Sequence, residues 1–166
     1  MNKSLLIGGA AIILIVLVFI FARPSGNSPA NVANNLTPNA LAAETQNYDF
    51  GTVSMAAGNV SYATTIKNTS AAPVTITRLY TSCMCTTGTL EVGNKKLGPF
   101  GMPGHGGAGI VNTNEALAPG EEATLKITFD PAAHGPAGVG FIERVITVET
   151  NAGAPLELAF TATVTP

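Results

Sequence analysis

A chain of 166 residues with a formal net charge of −2 has the length of one domain and a short appendage. With no tryptophan and only 6% aromatic residues, its core must come mainly from Val, Ile, Leu and Ala. The 11% of charged residues hold no Lys/Arg cluster, so nucleic acid is excluded as an expected partner.

The first segment, MNKSLLIGGAAIILIVLVFIFARPSG, carries no charge from Leu5 through Ile15 and Phe21 to Ala22. About eighteen residues at about 1.5 Å each just span a hydrocarbon core. The run ends in bulky VFIFARP rather than small residues, which argues against a cleaved signal peptide, and no cysteine follows it to carry a lipid. Residues 1–23 are therefore read as a single-pass transmembrane signal anchor. Lys3 and Arg23 lie on opposite sides of the run, so the positive-inside bias is small. The short N-terminus nevertheless favours placing the rest of the chain in the periplasm or another extracytoplasmic space. Residues 24–46 are rich in Pro, Asn, Ala and Ser without an apolar period. They read as a flexible linker with a reach of roughly 25–30 Å.

From Asn47 the pattern changes to period two. GNVSYATTIKNTS alternates Val60, Tyr62, Thr64 and Ile66 on one face, and PVTITRLYTSC turns Val74 and Ile76 inward. The phase then slips so that Leu79 can follow, which predicts a bulge. EATLKITFDP aligns Ala123, Leu125, Ile127 and Phe129, and FIERVITVETN offers Ile142, Ile146 and Val148. PLELAFTATVTP alternates Leu156, Leu158, Phe160, Ala162 and Val164. Turn chemistry separates these runs in KNTSAAP, LAPGEE, DPAAHGPAG and TNAGAP. The expectation is an all-β, immunoglobulin-like antiparallel sandwich of about seven strands over residues 47–166, with a Gly-rich insertion at about 90–116.

YDFGTV, IKNTSAAPVTITRLYTSCMCT, LAPGEEATLKITFDP, GFIERVITVETN and LELAFTATV follow one another in an order that resembles the bacterial domain of unknown function 1573 family. That family's sandwich is similar to the Hydin/ASPM/SPD-2 type of immunoglobulin-like domain. The resemblance implies an exported sandwich and no settled activity. Where the family usually has Cys-Gly-Cys-Thr, this chain has Cys83-Met84-Cys85-Thr86. Its insertion, LEVGNKKLGPFGMPGHGGAGIVNTNEA, is also longer and richer in glycine than the resemblance leads one to expect.

The only two cysteines are Cys83 and Cys85. In an extended strand their Cβ atoms would lie about 6–7 Å apart on one face, so a disulfide would require a kinked backbone. Four readings stay open: small residues buried at a strand end, a soft-metal clasp, a thiol-redox pair, and a covalent attachment point. GPFGMPGHGG adds Met102 and His105 three positions apart, and Met84 and Met55 add thioethers. Cys83, Cys85, Met102 and His105 are the candidate metal ligands, and their softness points to Cu(I). His134, in DPAAHGPAG, is expected to be a turn residue. GHGGAG lacks the Lys-Ser/Thr of a phosphate loop, and no third group can be named to orient a Cys–His nucleophile. No enzyme and no small-molecule substrate are expected. The leading reading is a membrane-tethered, non-catalytic module that meets another envelope protein; Cu(I) handling is the alternative, and thiol redox is third.

Overall fold

The structure is a computed structural model describing residues 39–105 and 112–166; the anchor and most of the linker lie outside them. The described residues form ten strands: β1 (Leu41–Ala43), β2 (Asn47–Ser54), β3 (Val60–Asn68), β4 (Val74–Thr81), β5 (Thr86–Val92), β6 (Lys95–Phe100), β7 (Asn112–Leu117), β8 (Glu122–Phe129), β9 (Gly140–Thr150) and β10 (Leu156–Thr165). They build two five-stranded sheets, ordered β1-β3-β8-β5-β6 and β2-β10-β9-β4-β7. Among the described residues no helix is long and apolar enough to cross a membrane.

Period two is why these segments are strands, because alternate side chains meet one face. Along β8, Ala123, Leu125, Ile127 and Phe129 are all buried, and along β10 so are Leu156, Leu158, Phe160, Ala162 and Val164. The phase slip in β4 is a register shift between Ile76 and Arg78 against both neighbours. It returns Leu79 to the core, where it is fully buried.

Three features depart from the expectation. There are more strands than about seven, because the insertion forms β6 and β7 and the end of the segment read as linker forms β1. Leu41 pairs with Asn68 and is buried, so ordered structure starts before residue 47. The sandwich is also not wholly antiparallel, since β2 runs parallel to β10.

Each edge strand carries a device against pairing with another chain. β1 has only three residues. β2 bulges between its pairings with Thr161 and Thr163, where Gly51 has φ 67°. Asp49 holds that bulge by accepting from the Gly51 amide at 2.9 Å and the Thr161 hydroxyl at 3.0 Å. β6 carries Pro99, which removes an edge donor, and β7 turns through Asn114 at φ 51°.

Aromatic side chains form a cluster bridging the sheets. Phe160 meets Phe50 edge-on at 5.3 Å and Phe129, in the opposite sheet, at 5.3 Å. Tyr62 stacks on Tyr48 at 4.2 Å, yet its buried hydroxyl has no hydrogen-bond partner among the described residues. Burial, reinforced by neighbouring Tyr48, raises its pKa from 10.0 to about 12. Tyr62→Phe is expected to raise stability by about 1 kcal/mol by removing an unpaired polar group. The folded state holds the Tyr62 proton more tightly than the unfolded chain, so the native protein loses stability as the pH climbs from 10.0 towards about 12, and the advantage of Tyr62→Phe widens there. Urea denaturation of both proteins at pH 8 and pH 11 checks this; a lower midpoint for Tyr62→Phe at pH 8 would mean that the hydroxyl is hydrogen-bonded in solution.

Candidate functional site

The cysteines sit where β4 crosses to β5, joining the two sheets. Ser82 locks the departure from β4: its amide donates to the Val145 carbonyl and its hydroxyl accepts from the Val145 amide, each at 2.9 Å. The chain then turns, with the Thr86 amide donating to the Cys83 carbonyl at 3.1 Å. Buried Thr81 supports the turn from beneath, its hydroxyl lying 2.9 Å from the Cys83 carbonyl and 3.1 Å from the Thr86 carbonyl. This is the kink that an extended strand would lack. It brings the Cα atoms to 5.3 Å, and Cys83 and Cys85 are joined as a disulfide. That separation falls within the ordinary range for bridged cysteines.

The two sulfurs have different surroundings. Cys85 is 3% exposed and accepts from Arg144 Nε at 3.4 Å, with the Thr86 hydroxyl at 3.6 Å. The Arg144 guanidinium is held in turn by donation from Nη1 to the Glu143 carbonyl at 2.8 Å. A fixed cation beside a sulfur favours its thiolate once the disulfide opens. Cys83 is 8% exposed, and its Sγ lies 3.1 Å from His134 Nε2. A bonded sulfur has no proton to give, so Nε2–H is the donor in this state.

His134 reaches Cys83 because of strand pairing. β5 and β8 are antiparallel with Thr86 opposite Phe129, so the residues before Thr86 and after Phe129 emerge side by side. The Asp130 amide donates to the Cys85 carbonyl at 2.8 Å, tying the two loops together. Asp130 Oδ1 then accepts from the Ala132 amide at 2.9 Å, starting a turn that closes at Gly135, φ 56°. Gly138 packs beneath the histidine, where an added Cβ would lie 3.2 Å from the His134 Cβ. His134 is a turn residue, as the sequence suggests, but one whose ring touches sulfur.

Met102 and His105 also come to this place. The Thr81 amide donates to the Gly101 carbonyl at 3.3 Å, holding the start of their loop against the end of β4. Both line an open pocket of about 570 Å3 with Ser82, Cys83, Met84, His134, Glu143 and Arg144. Cys83, Cys85 and His134 offer three ligand atoms within 4.8 Å of one another. Met102 and His105 are pocket neighbours outside that triplet. Met55 packs under Gly138 instead, where an added Cβ would lie 3.5 Å from the Met55 Cε. The arrangement can exchange the disulfide with an incoming thiol at Cys83, or hold a soft ion once both sulfurs are reduced.

A family described as protein of unknown function (DUF1573) matches residues 41–98, from β1 into β6, and so includes both cysteines but not His134 or Arg144. No curated protein matches the chain in sequence. A protein of unknown function from Porphyromonas gingivalis W83 is similar in structure, at 17% identity and a TM-score of 0.54, with 82% of this chain and 51% of that one covered. The chain thus spans about half the length of that relative. The ASH/PapD-like domain 7 of human CEP192 is 12% identical with a TM-score of 0.45, over 76% of this chain and 85% of that one. VesB protease of Vibrio cholerae is 16% identical with a TM-score of 0.45, over 75% and 32%. At such identity the likeness to the Porphyromonas protein speaks for the fold alone.

Proposed function

We propose that this chain is a non-catalytic β-sandwich module, tethered outside the cytoplasm by its N-terminal apolar segment, that meets another envelope protein through the pocketed end of the sandwich. The observation that carries this reading is where the exposed apolar surface lies. Among the described residues four large hydrophobic side chains are exposed, and three of them belong to this end: Met84 at 51%, Val139 at 47% and Phe141 at 71%. Met84 lines the pocket, while Val139 and Phe141 lie on the stretch leading into pocket-lining Glu143. Apolar side chains gathered round a concavity cost solvation unless a partner covers them, whereas singly scattered ones need no explanation. The guarded strand edges support the same choice, because strand addition would need a regular edge.

A photo-crosslinking residue placed at Met84 or Phe141 of the full chain in intact cells is expected to yield one common adduct. The same residue at Glu157, towards the far end of the same sheet, is expected to yield none. Val139→Ser should weaken the Phe141 adduct without lowering the melting temperature. Equal adducts from both ends, or none from Met84 and Phe141, would overturn the reading.

A further inference from the structure

We propose that Cys83, Cys85 and His134 form a Cu(I) site when the cysteines are reduced, and that their disulfide is the closed form of that site. The inference stands apart from the docking reading and rests on a different observation, the meeting of two sulfurs and an imidazole at one point. Their ligand atoms already lie within 4.8 Å of one another. Three donors at about 2.3 Å round one ion would be about 4 Å apart, so the reduced sulfurs need only separate while His134 keeps its place. Two thiolates and a neutral imidazole are a soft, three-point set, which suits Cu(I) better than zinc with its preference for four ligands.

The surroundings fit the charge of such a centre. Two thiolates, one Cu(I) and a neutral imidazole carry one net negative charge, and the Arg144 guanidinium stands 3.4 Å from the Cys85 sulfur to offset it. The Met102 thioether lines the same pocket. Opening takes two electrons from a dithiol donor. Its first thiolate attacks Cys83 Sγ, the Cys83–Cys85 bond breaks, and Cys85 leaves as a thiolate beside Arg144. The donor's second thiolate then forms the donor's own disulfide and releases Cys83. The donor's two protons end on Cys83 and Cys85, and Cu(I) later displaces them to solvent.

The test is an anaerobic Cu(I) titration of the full chain in detergent micelles, with bicinchoninate as competing chelator. Protein reduced by a phosphine is expected to bind one Cu(I) tightly, and oxidised protein of the same fold none. His134→Ala should weaken binding by at least the roughly 10- to 100-fold that loss of a merely orienting group costs. His134 is exposed, so this variant should keep its melting temperature. His105→Ala is expected to cost less than His134→Ala, and X-ray absorption of the loaded protein should show two sulfurs and one nitrogen on copper. Reduced protein that binds no more tightly than oxidised protein would overturn the site. A His134→Ala affinity equal to the native one would overturn it equally.

Discussion

Phe160→Ala is expected to lower stability by about 3–5 kcal/mol, the ordinary cost of emptying a buried phenylalanine site. Phe160 has no exposed surface and is among the largest fully buried side chains. It belongs to β10, the strand paired with both β2 and β9, so the gap would open inside its sheet rather than at an edge. Its ring also touches Phe129 across the sandwich, so truncation loses contact between the sheets as well as within one. Collapse cannot fill the gap, because Leu158 and Ala162 to either side are themselves buried in place. A loss of this size should move the melting temperature down by roughly 10–20 °C. Phe160→Leu keeps most of the buried area and forfeits chiefly the aromatic pairing, costing about 1–2 kcal/mol. Thermal melts of the two variants separate these terms; similar melting temperatures for both would mean that ring geometry, not volume, holds the sheets.

The same residues show how far a sequence can be read. Alternation places Leu125, Ile127, Leu158 and Phe160 in the core because a half-buried strand imposes period two on every side chain. The bulge after Ile76 was legible as a slip in that period. β1 was not, since Leu41–Ala43 is too short to show any period and owes its order to pairing with β3. The parallel pairing of β2 with β10 was hidden as well, because chain direction leaves no trace in the alternation of one strand. At the site, Cys83, Cys85, Met102 and His105 were identifiable by residue type. His134 was passed over because its contact with Cys83 comes from the antiparallel register of β5 and β8, which brings together residues 51 positions apart. Reading DPAAHGPAG beside TSCMCTT, as loops at one end of two paired strands, is the signal that would have found it. Arg144 reaches Cys85 through a comparable route, from a neighbouring strand of the other sheet.

Asn68→Ala is expected to cost roughly 2–4 kcal/mol, although the residue sits in a stretch, KNTSAAP, that reads as an ordinary turn. Asn68 is fully buried. Its Nδ2 donates at 2.9 Å to the Ala72 carbonyl and at 2.9 Å to the Leu117 carbonyl, while Oδ1 accepts from the Ser70 amide and hydroxyl at 2.9 and 2.7 Å. Leu117 ends β7 in one sheet and Asn68 ends β3 in the other, so one side-chain amide joins the two layers. Water can replace the amide at exposed Ala72, but not at Leu117, which is wholly buried. The cost therefore falls mainly on one orphaned carbonyl and the space left beside it. Asn68→Asp isolates the donor. It keeps the acceptor for Ser70, yet turns a carboxylate oxygen towards two carbonyls, and should be at least as damaging as alanine. Urea denaturation of both variants is the check, and aspartate retaining native stability would sink the inter-sheet role, since only the NH2 group can make that bond. The turn motif thus does two tasks: it carries the chain from β3 in one sheet to β4 in the other, and it fastens the two sheets together at the C-terminal end of β7.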